Sequence, residues 1–136
     1  MIQKLKKVCC FEKKMYLCGK YFDMDITFAD KKFQKIVNDD RVMVKEFGKQ
    51  RSEKLKDRLA QLKFAKTLED VRFLPGNYHE LTGNRKGQWA CDLDQPYRLI
   101  FEPHENPIPT NEHGQYIWLE IVGVEIIEIV NYHKER

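Results

Sequence analysis

The amino-acid sequence predicts an α+β domain in which helices pack on one face of a mostly antiparallel β-sheet. Two patterns lead to this prediction. Between residues 30 and 65, apolar side chains recur every three to four positions, whereas several segments after residue 78 alternate apolar and polar residues, as strands do. The chain has 136 residues, which is enough for one domain with a sizeable hydrophobic core.

The first strand and the helices after it are predicted from residue 24 onward. The segment MDITF is typical of a short strand with Ile26 and Phe28 on one face. A helical stripe follows, then a break at the residues NDD, then a stripe through Val44 and Phe47 that Gly48 ends. A longer helix has leucines four and three positions apart. The apolar residues of the first and last of these helical segments are Phe33, Ile36, Val37, Leu55, Leu59 and Leu62.

The rest of the chain is predicted to form short strands and turns. Thr67 and Asp70 have the spacing of a capping box, which indicates a helical turn before Pro75. We expect a brief strand at YHEL, strands at QWACDL and YRLIFEP with a turn between them, and an irregular loop over 103–116. The run IWLEIVGVEIIEIV predicts a last strand buried on both faces, with Gly123 as a candidate bulge.

Charge divides the chain into two parts. The net charge is +3, and residues 1–23 alone contain six lysines against two acidic residues. The rest of the chain is therefore close to neutral, so binding of a polyanion must come from local clusters. We expect a basic N-terminal extension over 1–23 and a domain over 24–136. The extension is interpreted either as preceding a natural start at Met24 or as a genuine basic helix or tail.

Cysteines and apolar runs indicate a cytoplasmic protein. The four cysteines, at positions 9, 10, 18 and 91, fit neither a disulfide framework nor a zinc knuckle, so reduced thiols are expected. Lysines interrupt the N-terminus before a signal-peptide core develops, and no 18-residue apolar stretch predicts a membrane span. We therefore expect no membrane partner.

Arg98 is the most unusual residue of the predicted strands, because a guanidinium is costly to bury without a partner. Either a carboxylate such as Glu102 or Glu120 pairs with it, or it projects from an open sheet face toward an anionic ligand. The turn with Arg85 and Lys86 after His79 has the same two interpretations: a solvated loop, or one edge of a site for a negatively charged substrate.

A phenol and an imidazole follow the last strand, in the triplet Asn131-Tyr132-His133. If that strand neighbours the Arg98 strand, as sequential pairing favours, then His79, Arg98, Tyr132 and His133 converge. This set suits cleavage of RNA by transesterification. RNA supplies its own 2′-hydroxyl nucleophile, so the protein needs a base, an acid and cations around the phosphorus. We accordingly predict no metal and no cofactor.

Four segments resemble the RelE-like toxins, and most of all HigB, the plasmid-maintenance "killer" type. They are FADKKFQK, LPGNYHELTGNRKGQWACDL, YRLIFEP and IIEIVNYH, and they cover about residues 24–133. The resemblance implies a RelE-like fold and the toxin of a type II toxin–antitoxin pair. Such a toxin would cleave mRNA in the ribosomal A site and be neutralised by a helix-turn-helix, HigA-like antitoxin.

The resemblance also implies roles for single residues. His79 corresponds to the histidine of the H-x-L-x-G segment, Arg98 to the strand arginine that contacts the scissile phosphate, and Tyr132-His133 to the C-terminal pair. Thr82 and Asn131 depart from the family, which commonly has lysine and often aspartate at these positions. We expect Arg85 or Lys86 to replace the lost loop charge, and these two residues and Asn131 to contact RNA.

Two other classes of function stay open on the sequence alone. A non-catalytic RelE/ParE-fold protein could bind a protein target such as gyrase, or a degenerate toxin could survive as a binding module. Such proteins would not need acid–base residues beside Arg98. A small structural domain explains the sheet but not the convergence of Arg98 with the C-terminal triplet.

Overall fold

The computed structural model describes residues 24–131. The strands are β1 (Asp25–Phe28), β2 (His79–Glu80), β3 (Trp89–Asp92), β4 (Tyr97–Pro103) and β5 (Gly123–Asn131). The helices are α1 (Lys31–Val37), α2 (Asp40–Phe47), α3 (Lys49–Phe64) and α4 (Leu68–Val71), and short 3₁₀ turns lie at Gly83–Arg85 and Trp118–Glu120.

The five strands form one mixed sheet in the order β1-β5-β4-β3-β2. β1 pairs in parallel with β5, and the other neighbours are antiparallel. The predicted α+β class with a mostly antiparallel sheet is confirmed. So is the pairing of the last strand with the Arg98 strand, in which Arg98 lies opposite Val130.

Local capping explains where the first helices begin and end. The Asp30 side chain accepts a hydrogen bond from the Lys32 amide at the start of α1, and Asp39 accepts from the Arg41 amide at the start of α2. The break predicted at NDD is therefore a capped helix start. Gly48 separates α2 from α3 with φ +87°, a left-handed conformation that favours glycine.

The hydrophobic core lies between the helices and one face of the sheet. The three leucines of α3 are buried against alternate residues of β3 and β4, as their spacing predicted. One prediction for α2 is wrong: Val44 is 43% exposed, and its neighbour Met43 is buried instead. The core residues of α3, β3 and β4 are Leu55, Leu59, Leu62, Trp89, Cys91, Leu99 and Phe101.

Three further predictions of local structure are wrong: the extent and burial of the last strand, the bulge at Gly123 and the capping box at Thr67. The last strand starts only at Gly123, because residues 118–120 form a 3₁₀ turn, and its second half is not buried on both faces. The register shift between β4 and β5 lies at Ile100/Phe101 rather than at Gly123. Thr67 starts α4 without a side-chain cap to the backbone, and its hydroxyl contacts the Asp70 carboxylate at 3.5 Å.

The predicted extension over 1–23 lies outside the described residues, so the boundary at residue 24 stays a prediction. No helix in the described range is both long and apolar enough to cross a membrane.

Candidate functional site

Strand alternation places different side chains on the two faces of the sheet. Leu99 and Phe101 of β4 point into the core, so Arg98 and Ile100 point to the other side. We call the side opposite the helices the open face. Cross-strand pairing and alternation place the following described residues on it: His79, Gln88, Ala90, Asp92, Arg98, Ile100, Glu102, Glu125, Glu128 and Val130.

Arg98 is held on the open face by its cross-strand neighbour. Asp92 lies directly opposite it on β3, with 4.0 Å between Arg98 Nε and Asp92 Oδ1. Glu102 or Glu120 was named from the sequence as the carboxylate that could pair with Arg98, and the structure has Asp92 there instead. The Arg98 side chain is 22% exposed, so part of it faces solvent above the sheet while Asp92 constrains its direction.

His79 lies on the same face as Arg98, two strands away. Its neighbour Tyr78 is buried in the core, and His79 pairs with Ala90 on β3. The Cα atoms of His79 and Arg98 lie roughly 12 Å apart, because two strand spacings and two residues along the strand separate them. Two side chains pointing from these positions can contact the same phosphate group or neighbouring groups of one nucleotide.

A backbone contact fixes the tautomer of His79. Its Nδ1 lies 2.7 Å from the Asn77 carbonyl oxygen, which can only accept, so Nδ1 carries the proton of the neutral ring. Nε2 is then the nitrogen that can accept a proton.

The turn at 82–87 folds over the open face through Arg85. Its guanidinium donates to Gln88 Oε1 at 2.9 Å and to Glu128 Oε2 on β5 at 2.9 Å. Gln88 Nε2 in turn donates to Glu102 Oε1 at 3.1 Å. Ile100 is buried on this face although it lies outside the main core. Arg85 is thus part of a network that ties the turn to β4 and β5, which the solvated-loop interpretation did not predict.

Lys86 points elsewhere. Its ammonium lies 5.7 Å from the centre of the Tyr116 ring, at a polar pocket of about 520 Å³. Arg72 and Glu80 also line this pocket and form an ion pair. Arg85 and Lys86 therefore do not form one joint cationic edge, although they are adjacent in the sequence.

The described open face has a surplus of carboxylates. Arg85 and Arg98 are its two permanent cations, and they share it with five acidic residues, of which three contact one of these arginines or Gln88. The five are Asp25, Asp92, Glu102, Glu125 and Glu128. A polyanion would therefore meet a local cationic spot at Arg98 rather than a broad basic surface.

Asn131 is not brought together with Arg98. It pairs with Tyr97 at the end of β4, and Tyr97 packs on the helix side, where the Arg51 guanidinium lies 3.5 Å from its ring centre. The predicted RNA contact of Asn131 stays a prediction. Tyr132 and His133 lie outside the described residues.

Two buried ionisable groups near the site are structural. Burial raises the pKa of the Cys91 thiol to about 12 and also raises the pKa of the Tyr78 phenol. The Tyr78 hydroxyl lies 2.8 Å from Gln61 Oε1 and 3.1 Å from the Arg58 carbonyl oxygen. Neither group exchanges a proton near neutral pH, so both are excluded from acid–base chemistry. Residues 24–131 also contain no group of three His, Cys, Asp or Glu side chains arranged to hold a metal ion.

Sequence reasoning missed Asp92, Gln88 and Glu128, the residues that fix Arg98 and Arg85. Asp92 could have been found, because a turn at 94–96 between two predicted strands places it opposite Arg98. Glu128 could not, since its position depends on the register shift between β4 and β5.

A family model now adds an independent comparison. The model of the HigB-like toxins, described as the RelE-like toxin of the type II toxin–antitoxin system HigB, matches residues 26–113. The match includes His79, Arg85, Lys86 and Arg98 and ends before β5. No curated protein matches the chain. Because the matched segment is well over half of the chain and the mixed sheet is consistent with a RelE-like fold, the chain belongs to the HigB-like toxins of type II toxin–antitoxin systems.

Proposed function

We propose that this toxin is a ribosome-dependent mRNA endonuclease that acts in the cytoplasm and inhibits translation. The observation that carries the proposal is Arg98: a constrained, partly exposed arginine on the open face, with His79 on the same face. An arginine on this face can bind a phosphate, because its side chain points away from the hydrophobic core. Family membership supports the toxin class, and the cleavage of mRNA is our proposal.

The proposed reaction is a transesterification within the RNA. A base removes the proton of the 2′-hydroxyl, whose oxygen attacks the adjacent phosphorus. The bond from phosphorus to the 5′-oxygen breaks, and an acid protonates that oxygen. The products are a 2′,3′-cyclic phosphate and a free 5′-hydroxyl, so the reaction consumes neither water nor a cofactor in this step. Both proton transfers fall within the capacity of histidine and tyrosine side chains.

We assign Arg98 to the charge that develops on the phosphorane-like transition state. His79 Nε2 is the candidate base, or else a phosphate contact. Tyr132 and His133 are proposed as the remaining proton-transfer or nucleotide-positioning groups on the strength of the resemblance. They follow directly after Asn131, which pairs with the residue next to Arg98, and this connection supports their inclusion.

Single-turnover cleavage of ribosome-bound mRNA tests the proposal. Arg98→Ala should lower the rate by about 10²–10³, the usual cost of removing one donor to a transition-state anion. Arg98→Lys should recover part of the rate, because it restores the charge but not the planar fork. Arg41→Ala, on the exposed surface of α2, is the matched control and should cleave like the wild type.

The same series can reject the nuclease. If Arg98→Ala and His133→Ala both cleave at the wild-type rate while the wild type still arrests growth, the toxicity does not depend on this site. Absence of cleavage by folded wild-type toxin on programmed ribosomes would have the same meaning.

One observation favours a second function, binding of a protein target such as gyrase without catalysis. The open face carries more carboxylates than arginines, which suits a protein surface with both charges better than RNA alone. A protein target predicts growth arrest with intact mRNA and co-purification of the target. The nuclease predicts cleaved mRNA as the first event after induction.

The proposed partners follow from family membership and from the proposed cleavage of mRNA. The family implies an antitoxin, and we propose that it is a helix-turn-helix, HigA-like protein encoded next to the toxin. The ribosome and its mRNA are the proposed targets, and we propose Lys86 and Arg85 as contacts to RNA.

A further inference from the structure

A left-handed turn at Gly76 and Asn77 leads into β2. Asn77 has φ +57° and Gly76 has φ +120°, and within residues 24–131 Asn77 is the one residue other than glycine with a positive φ. Asparagine adopts this conformation more readily than most residues, but at a cost in backbone energy. Such conformations persist only where surrounding contacts hold them, and they are common at functional sites. The contacts of this turn therefore need a physical explanation.

Two backbone carbonyls of the turn accept hydrogen bonds from the candidate site. The Asn77 carbonyl oxygen lies 2.7 Å from His79 Nδ1. The Gly76 carbonyl oxygen accepts from the Asp92 amide at 2.8 Å. The Asn77 side-chain amide also donates to Asp92 Oδ2, but at 3.4 Å this bond is weak. Because Asp92 is the cross-strand neighbour of Arg98, the turn contacts His79 directly and Arg98 through Asp92.

The helix α3 supports this turn through Arg58. Its Nε donates to the Asp92 carbonyl oxygen at 2.7 Å. A Cβ atom at position 76 would lie 2.8 Å from Arg58 Cζ, so the guanidinium packs directly against the Gly76 backbone. Both backbone polar groups of Asp92 are therefore bonded, the amide to Gly76 and the carbonyl to Arg58. The position of the turn relative to Asp92 is thus set by the backbone and not by a contact between exposed side chains.

We propose that Asn77 is a positioning residue of the candidate site and that it acts through its left-handed backbone rather than through its side chain. This conformation directs the Asn77 carbonyl oxygen to His79 Nδ1, which sets the direction of the imidazole and leaves Nε2 for the substrate. An extended or right-handed φ at residue 77 would change the direction of this carbonyl group. The same turn holds the Asp92 backbone, so His79 and the Arg98–Asp92 pair keep a constant separation although they lie on different strands.

The inference deepens the proposed cleavage of mRNA and rests on it for the effect on rate. A turn that only connects α4 to β2 would affect stability alone. A positioning turn also determines which nitrogen of His79 carries the proton in the neutral ring. That property can be measured without any substrate, so it separates the two roles of the turn.

The tautomer of His79 is the first test. The full-length toxin is labelled with ¹⁵N at its four histidines, and His79→Gln identifies the signals of His79. At about pH 8.5, two units above the ordinary histidine pKa, the neutral ring should carry its proton on Nδ1. Asn77→Gly should keep this tautomer, because glycine adopts a positive φ without steric cost. Asn77→Val should shift the ring toward the Nε2-protonated form, because a branched side chain disfavours this φ.

Two results of this measurement overturn the proposal. One is a wild-type His79 protonated mainly on Nε2, and the other is an unchanged tautomer in Asn77→Val. Asn77→Ala covers the case in which Asn77→Val fails to fold, since alanine disfavours a positive φ less strongly; it should shift the tautomer part of the way. Gly48→Ala is the matched control, because it adds a side chain at φ +87° with no atom within 4 Å of the new Cβ. It strains the backbone between α2 and α3 and should leave His79 unchanged.

Single-turnover cleavage of ribosome-bound mRNA is the second test. Asn77→Val should lower the rate about 10- to 100-fold, the range expected for a misplaced reacting group. Asn77→Gly should stay within about 3-fold of the wild type, because it keeps the backbone conformation. Gly48→Ala should cleave like the wild type.

The rates also separate failure of the inference from failure of the proposed function. Equal rates for Asn77→Val and the wild type overturn the positioning role. Equal losses in Asn77→Gly and Asn77→Val show that the side chain carries the effect, which overturns the backbone assignment. Absence of cleavage by the folded wild type rejects the nuclease instead, and the tautomer of His79 then decides whether Asn77 positions this histidine.

Discussion

Alkaline pH should destabilise this toxin mainly through two buried acids, and Cys91 allows the effect to be calculated. Cys91 lies on β3 and is fully buried in the core. Burial raises the pKa of its thiol from the ordinary value of 9.0 to about 12. The folded protein therefore keeps the thiol neutral over a pH range in which the unfolded chain ionises.

The sign and size follow from proton linkage. The contribution is fully present below pH 9.0 and is lost as the pH rises toward 12, because the unfolded state then binds fewer protons than the folded state. The free energy of unfolding should fall by about 1.4 kcal/mol per pH unit in this range, or about 2 kcal/mol by roughly pH 10.5 and about 4 kcal/mol by roughly pH 12.

Urea unfolding between pH 8 and 10.5 measures this slope. Cys91→Ala lowers the stability at all pH values by leaving a small cavity, but it removes the pH-dependent part that belongs to the thiol. Tyr78→Phe is the companion variant, since burial also raises the pKa of the Tyr78 phenol and adds its own alkaline loss. Parallel stability curves for the wild type and Cys91→Ala would refute the reasoning, because they would mean that the thiol ionises equally in both states.

Four further outcomes are expected. Leu62→Ala should cost about 2–5 kcal/mol of unfolding free energy in urea melts, because Leu62 is fully buried, and a loss below 1 kcal/mol would contradict the core assignment. Lys86→Ala should reduce binding to ribosomes at low salt and lower the salt dependence by about one ion, with the cleavage rate of bound mRNA unchanged. A chain beginning at Met24 should unfold at the same urea midpoint as the full chain and be equally toxic; loss of folding would place residues 1–23 in the core. Expression of the toxin alone should arrest growth, and co-expression of the adjacent antitoxin should restore it, whereas normal growth with verified folded toxin would favour a degenerate toxin.

The sequence predicts the core well because each buried residue follows a simple local period. The leucines of α3 and the alternate residues of β3 and β4 face the same core, so helix and strand spacing agree. Arg98 was found for the same reason: it alternates with Tyr97 and Leu99, so it must lie on the face opposite them. The prediction for Val44 failed because two adjacent apolar residues compete for one helix face, and packing selected Met43.

The parts that could not be predicted depend on contacts between distant segments. Arg85 binds Glu128, which is 43 positions further along the chain, and no local pattern links the two residues. The direction of Lys86 is likewise set by Tyr116 in the loop after β4. Arg85 and Lys86 are adjacent in one turn and were expected to act together. Their tertiary contacts instead direct the two side chains to different parts of the surface.

The register shift in β5 decides which C-terminal residues face Arg98. Ile126 points into the core opposite Phe101, and two positions later strict alternation would return Glu128 to the core side. Glu128 instead lies opposite Ile100 on the open face, because one extra residue, Ile127, is accommodated between the two pairings. The shift exchanges the faces for the rest of the strand, so Val130 faces Arg98 and Asn131 joins Tyr97 on the helix side. A single extra residue thus frees Glu128 to hold Arg85 over the open face and moves Asn131 away from it, an outcome that counting along the sequence cannot give.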